Sequence, residues 1–300
     1  MRYLTKALVI GLFFLSTQAF AKINVYACEP EWQALVQVIG GEHVSIMSAT
    51  TAFQDPHYIE ARPSLIAGAR RADLLVCTGA ELEVGWLPVL IRQAGNARIR
   101  PGQLGHFLVT EYVDLIEVPT ALDRSMGDIH AAGNPHVHWS PHRLITIAQA
   151  LSARLQTIDP NHAVDYQQAL ADFESRWQAN IARWQTTAQV LNGKQVIVYH
   201  KSWSYLLEWL GITIVGDLEP KPGLPPTSKH LASLLQTVAN TSVDAIVINH
   251  YQNDKGARWL SKKADIPVVR LPFTVGATDD ITSLESLYDV VLMTLRDQLK

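Results

Sequence analysis

Residues Asn161 to Leu191 carry the longest uninterrupted amphipathic pattern in the chain, and that pattern limits how everything else can be arranged. Pro160 precedes it and Asn192-Gly193 closes it, while Tyr166, Leu170, Phe173, Trp177, Ile181 and Trp184 recur at steps of four, three, four, four and three. This spacing keeps all six side chains on one stripe of one helix. At 1.5 Å per residue, about 31 residues predict a rod on the order of 45 Å. Such a rod can cross the whole molecule and tie two lobes together.

Strands and helices alternate on both sides of it. Ahead of it, Ile23 to Ala27 reads as a strand, and Trp32, Leu35, Val36, Val38 and Ile39 as a helix stopped by Gly40-Gly41. Val44-Ser45-Ile46 reads as a second strand, a helix runs through Leu65 and Ala69, and Asp73 to Cys77 is a third strand. Behind it, strands are expected at Gln195 to Tyr199, Ile212 to Val215, Asp244 to Ile248 and Pro267 to Leu271, with helices over Lys201 to Leu210 and Ser228 to Val238. Continuous apolar strands alternating with helices predict parallel sheets covered on both faces. The expected fold is therefore α/β: two Rossmann-like lobes, residues 22–160 and 193–300, each a parallel sheet flanked by helices, joined by one long helix at 161–192. Thr282-Ser283-Leu284-Glu285 has capping-box form and places the start of a last helix near Ser283.

The N-terminus predicts export. Arg2 and Lys6 lead into the apolar run Ala7 to Leu15, followed by the small-x-small pattern Ala19-Phe20-Ala21, so Met1 to Ala21 reads as a signal peptide cleaved after Ala21. The run is shorter than the roughly 20 apolar residues of a membrane span. Lys22, not a cysteine, stands directly after the cleavage point, which argues against a lipid anchor on the mature end. The formal charge of −3 includes Arg2 and Lys6, so the mature chain carries −5. That balance argues against nucleic acid as a partner. The two cysteines, Cys28 and Cys77, end strands of one lobe; in an oxidising compartment they form either a disulfide or two buried thiols.

Histidines mark a candidate site. Gln54-Asp55-Pro56-His57 is echoed by Gly133-Asn134-Pro135-His136: a polar side chain, then proline, then histidine. Proline restricts its own φ and the residue before it, so each histidine leaves the backbone in a limited direction. His57, His136, His200 and the pair Asp279/Asp280 each follow a strand, where open α/β sheets bind ligands. Three imidazoles and a carboxylate form a closed tetrahedral set for zinc, and also suit manganese or iron. Asp55 is expected to orient His57, with Glu60 and Arg62 as further candidates. His138 competes with His136 if the segment is extended. His130 lies with Asp123 and Asp128 in a long irregular loop, Thr120 to Gly133, and is expected to be solvated there, with transient pick-up of metal as the alternative. His250 is expected near the cleft, and His43, His106, His142, His162 and His230 at the surface or in turns. Neither a His-Glu-x-x-His pattern, a phosphate-binding glycine loop nor a Gly-x-Ser-x-Gly elbow is present.

Taken together, the leader, Asp55-Pro56-His57, Asn134-Pro135-His136, the long helix, Tyr199-His200 and an acidic loop before the last helix resemble the metal-specific solute-binding proteins of bacterial ABC importers, cluster A-I, and most of all the zinc branch. The resemblance covers essentially the whole mature chain. It implies two lobes joined by one rigid helix, with zinc (manganese in other members) held between them on His57, His136 and His200. A histidine at 200 is similar to the zinc pattern, where manganese members commonly place glutamate. The family's aspartate register falls near Thr282, so the resemblance implies that Asp279, Asp280 or water completes the set. It further implies a periplasmic, monomeric receptor that makes and breaks no bond and delivers its ion to ABC permease subunits, with a periplasmic metallochaperone as a further partner. The competing readings are a manganese or iron receptor of the same fold, a secreted zinc hydrolase and a metal-dependent adhesin.

Overall fold

The computed structural model describes residues 22–120 and 130–299. The expected leader, Met1 to Ala21, and the loop residues Asp123 and Asp128 lie outside the described residues. Two four-stranded parallel sheets make the two lobes. The first is built from β1 (Ile23–Ala27), β2 (Val44–Ser48), β3 (Leu74–Cys77) and β4 (His106–Leu108) in the order β2-β1-β3-β4, with helices α1 (Pro30–Gly40), α2 (Pro63–Arg71) and α3 (Leu87–Ala94) between them. Next come two long helices, α4 (Pro141–Ile158) and α5 (Ala163–Ala188). The second sheet repeats the plan: β5 (Gln195–Val198), α6 (Ser204–Trp209), β6 (Thr213–Asp217), α7 (Ser228–Asn240), β7 (Ala245–Asn249), α8 (Lys255–Ala264) and β8 (Val268–Leu271), in strand order β6-β5-β7-β8. Helix α9 (Leu284–Gln298) closes the chain. No helix among the described residues is long and apolar enough to cross a membrane.

Helix α5 is the expected rod. Its 26 residues, with 3-10 turns at Pro160–His162 and Gln189–Leu191, span the predicted segment. Tyr166, Phe173, Trp177, Ile181 and Trp184 are buried as the stripe predicts. Asp159 anchors the first turn by accepting from His162 Nδ1 (2.6 Å) and the Tyr166 hydroxyl (2.9 Å). Helices α3, α4 and α8 are not among the expected elements. Of these α4 matters most, because it runs antiparallel to α5, with Trp177 Nε1 donating to Pro141 O (2.8 Å) and Ser152 Oγ to Tyr166 O (3.1 Å). The start of α9 is where the sequence puts it, but the cap forms one residue later than expected. Ser283 and Ser286 each accept from the other's backbone N–H (3.1 and 3.0 Å), because serine at the third helical position closes the box without a glutamate.

One hydrophobic core passes through both lobes. It includes Val25, Trp139, Trp177, Trp184, Val198 and Tyr288, and α5 lies in it against α1 of the first lobe and α9 of the second. The far face of each sheet has its own smaller core. Swinging the lobes widely apart would expose the shared core to water, at about 25 cal/mol per Å² of apolar surface. Cys28 and Cys77 form a disulfide, with Cα atoms 4.8 Å apart, across the carboxyl ends of the neighbouring strands β1 and β3.

Candidate metal centre

All strands of a sheet point the same way, so their carboxyl ends and the following loops gather at one edge, and the edges of the two sheets face a common cleft. His57 stands in the loop after β2. His136 follows the long connection from β4, and His200 comes two residues after β5. The two proline turns share one construction: the Asp55 carboxylate accepts from the His57 backbone N–H (3.0 Å), and the Asn134 side-chain oxygen accepts from that of His136 (3.0 Å). These are Asx turns, which explain why a short polar side chain stands two residues before each histidine.

Four imidazoles meet there: His57, His130, His136 and His200 offer ring nitrogens that all lie within 4.8 Å of one another. The His57 and His200 rings are 5.5 Å apart and crossed at 80°, and those of His136 and His200 are 5.5 Å apart and crossed at 87°. Carboxylates orient two of them. Asp55 accepts from His57 Nδ1 (2.7 Å) and Glu219, just beyond β6, from His200 Nδ1 (2.8 Å). Each bond places the proton on Nδ1 and turns Nε2 toward the cluster. Burial opposes ionisation of Asp55, but its bonds to His57 outweigh this and hold the carboxyl below its usual range. His57 Nε2 and His130 Nε2 are 3.3 Å apart, roughly the edge of a tetrahedron with metal–nitrogen bonds of 2.0–2.1 Å. His136 is 1% exposed, and neither of its ring nitrogens has a hydrogen-bond partner. Burial, followed by the neighbouring imidazoles, pushes its pKa well below the ordinary 6.5. A buried, neutral and unpartnered imidazole is suited to giving a lone pair to a cation. His200 and Glu219 separate two openings to the cleft, of about 270 and 320 Å³.

The structure thus brings His57, His136 and His200 together, with His130 in the fourth position expected for a carboxylate. Asp279 and Asp280 do not reach the cluster. Residues 276–281 fold on themselves, with Gly276 N–H donating to Ile281 O (2.8 Å) and Ile281 N–H to Thr278 O (3.1 Å). Ile281 is buried by this turn, and both aspartates face solvent, Asp280 accepting from Thr278 Oγ1 (2.6 Å). His130, expected in solvent, is carried inward because Gly133 N–H donates to its carbonyl (3.1 Å) and Ala131 N–H donates to the Glu81 carboxylate (2.5 Å). Its position four residues before a ligand-type turn was the available signal.

His138 points elsewhere. The segment after His136 is a 3-10 turn, Val137–Trp139, not an extended strand, so residues two apart diverge. His138 is buried against Glu31 (3.4 Å) and Phe273 O (3.3 Å). Glu31 also accepts from Thr274 Oγ1 of the second lobe (2.5 Å) and so braces the cleft floor. Glu60 and Arg62 are exposed, and His250 stands outside the cluster.

A second buried group, absent from the sequence expectations, lies behind the disulfide. Glu29 and Glu83 are each 2% exposed. Glu83 accepts from the backbone N–H groups of Thr78 (2.6 Å) and Gly79 (3.0 Å), and Glu29 from Thr78 Oγ1 (3.1 Å). Burial pushes Glu83 up to about 7, and burial together with the Glu83 charge raises Glu29 well above its ordinary value. Both folded values exceed the unfolded one near 4.5, so the pair favours the fold below about pH 4.5 and loses that contribution as pH rises through 7. Glu29→Gln keeps an acceptor for Thr78 and supplies a donor to Glu83. We expect it to stabilise the metal-free protein at pH 8 by about 1–3 kcal/mol, with little change at pH 4.5. Urea unfolding of both proteins at the two pH values measures this.

Paired parallel-sheet lobes, a connecting helix and a metal-type cluster in the cleft define a substrate-binding protein of a metal ABC transporter, a carrier and not an enzyme. The chain belongs to the family of zinc-uptake complex component A, periplasmic (ZnuA), whose sequence model matches residues 25–297. Among curated relatives it is similar to the manganese ABC transporter substrate-binding lipoprotein scaA of Streptococcus gordonii, 22% identical over 94% of this chain and 91% of that protein. It is also 21% identical to the metal ABC transporter substrate-binding lipoprotein ScbA of Streptococcus cristatus, over 90% and 86% of the two chains. The fold matches a crystal structure of ZnuA with a TM-score of 0.75 at 19% identity, covering 93% of this chain and 100% of that one. It matches the Mn-bound periplasmic metal-binding protein of Candidatus Liberibacter asiaticus with a TM-score of 0.76 at 16% identity, over 93% and 100%.

Proposed function

We propose that the protein is a periplasmic zinc receptor that captures the ion on His57, His130, His136 and His200 and delivers it to the membrane permease of an ABC importer. The observation that carries this reading is the donor set: among the described residues, the cluster whose ligand atoms lie within 4.8 Å of one another is made of four imidazoles, with no carboxylate in it. Nitrogen donors in a four-fold arrangement favour zinc, whereas manganese prefers oxygen and a larger coordination number. In this reading residues 22–160 and 193–300 are the two metal-binding lobes, the leader is removed after Ala21, and the protein works as a monomer that a periplasmic metallochaperone can recharge.

A manganese cargo is the second reading, favoured by the names of the streptococcal relatives. It would require an oxygen donor, and among the described residues the carboxylates bonded to the cluster, Asp55 and Glu219, are engaged by His57 and His200. Competition between the two ions for the chelator-stripped protein separates the readings. Zinc is expected to bind at least about 100-fold more tightly, in the Irving-Williams direction. Manganese displacing zinc at equal concentration would overturn the zinc assignment.

A further inference from the structure

The two proline turns differ in what holds them. The His57 turn is held from its own lobe, by Asp55 and by Trp86 Nε1 donating to Pro56 O (2.9 Å). The His136 turn is bonded to both lobes: Asn134 N–H donates to Ile116 O of its own lobe (2.9 Å), and further bonds reach the second. Asn134 Nδ2 donates to Lys201 O (2.7 Å), and the Tyr205 hydroxyl donates to Asn134 O (2.7 Å) while accepting from Ile116 N–H (3.3 Å). Lys201 is the residue after His200.

Glu117 joins these pieces. Its Oε2 accepts from Asn134 Nδ2 (2.8 Å), beside the His136 turn, and from Ser204 Oγ (3.1 Å), in the turn and helix that follow His200; its Oε1 lies 3.7 Å from Lys201 Nζ. Its backbone adopts φ +54°, a left-handed conformation that a non-glycine residue adopts at a cost and keeps only when its surroundings impose it. Neither the carboxylate nor the strained backbone has a partner in the imidazole cluster itself.

We propose that Glu117 is a positioning residue for the metal site: it ties the turn bearing His136 to the turn bearing His200, so that these two imidazoles meet the ion as a preassembled pair. The inference rests on the zinc-receptor reading above. Capture then requires His57 and His130 to close onto a half-site that is already set, and the ion is released by the withdrawal of those two while the pair stays fixed. Glycine at position 117 would relieve the left-handed strain while removing the carboxylate, which separates support of the fold from positioning of the site.

The experiment compares the wild type, Glu117→Gly and Glu117→Gln in zinc affinity by chelator competition, in the visible absorption of bound cobalt(II), and in melting temperature without metal. Glu117→Gly is expected to melt at or above the wild-type temperature yet to bind zinc about 10- to 100-fold more weakly, with an altered cobalt spectrum, as for other groups that orient metal ligands. Glu117→Gln, which keeps an acceptor for Asn134 and Ser204, is expected to stay within about threefold of wild type. Wild-type affinity in Glu117→Gly overturns the proposal, as does a loss of affinity that merely follows a lower melting temperature with the cobalt spectrum unchanged. Equal losses in Gly and Gln overturn the hydrogen-bonded clasp. A wild-type protein that takes up neither zinc nor cobalt overturns the zinc-receptor reading itself, before either variant is considered.

Discussion

Replacing His136 with leucine is expected to abolish zinc capture and, at the same time, to make the metal-free protein more stable. The imidazole is 1% exposed and neither nitrogen has a hydrogen-bond partner. A buried polar group left unsatisfied costs about 1–3 kcal/mol. Leucine fills nearly the same volume without that cost, so the metal-free variant should gain roughly 1 kcal/mol, or about 2–4 °C in melting temperature. Acid sensitivity should change too. The folded pKa of His136 is depressed, so below about pH 6.5 the unfolded chain binds the proton that the fold refuses, and stability falls as pH drops toward the folded value. Leucine removes that component. Zinc affinity should fall about 1,000-fold, or ~4 kcal/mol, and the upward shift of melting temperature that zinc gives the wild type should vanish. Calorimetric titration with zinc and thermal melts with and without the ion test both halves. A variant that still binds zinc at wild-type strength would remove His136 from the site.

Loss of the Cys28–Cys77 disulfide is expected to be the largest single destabilisation of the metal-free fold. The bridge closes a loop with a sequence separation of 49 and joins the ends of adjacent central strands. By the loop-entropy relation such a closure is worth about 4 kcal/mol. For a chain of this size that corresponds to a fall in melting temperature on the order of 10 °C. The double variant Cys28→Ala/Cys77→Ala, or the wild type under a dithiol reductant, should show it. The effect should extend to zinc binding only weakly, because the half-core behind β1 and β3 is separate from the core that runs beneath the histidines. An unchanged unfolding midpoint in both preparations would show that the unfolded chain is already compact across this loop.

Much of the architecture was legible from the chain because it depends on local periodicity. Tyr166, Phe173, Trp177, Ile181 and Trp184 announce α5 by spacing alone, and all five are buried. Seven of the eight strands among the described residues show as short apolar runs between turn signals, and the first, Ile23–Ala27, has the expected limits; the eighth, the three-residue β4 at His106–Leu108, carries no such run and is not among the expected elements. Asp55-Pro56-His57 and Asn134-Pro135-His136 are legible because an Asx turn is made within three residues. Helix α4 is absent from the expected elements although it is 18 residues long and buries Leu144, Ile147, Ala148, Leu151 and Leu155 along one stripe at helical spacing, a signal of the same local kind as that of α5.

The rest depends on distance in space, which spacing along the chain does not encode. Whether a loop histidine faces solvent or its neighbours is decided by a few backbone bonds, such as those from Ala131 to Glu81 and from Gly133 to His130. The same is true of Asp279 and Asp280, turned outward by the fold of residues 276–281. Glu219, Glu117 and Glu31 are unremarkable as letters and acquire roles only because the partner turns arrive beside them. The sequence by itself determined two parallel-sheet lobes, the helix between them and three of the four clustered histidines, since each is written in short-range patterns of polarity and turn chemistry. Only the tertiary structure decided that the fourth position holds His130, that His136 is fastened to the opposite lobe, and that one core runs under both, because those outcomes depend on contacts between segments distant in the chain.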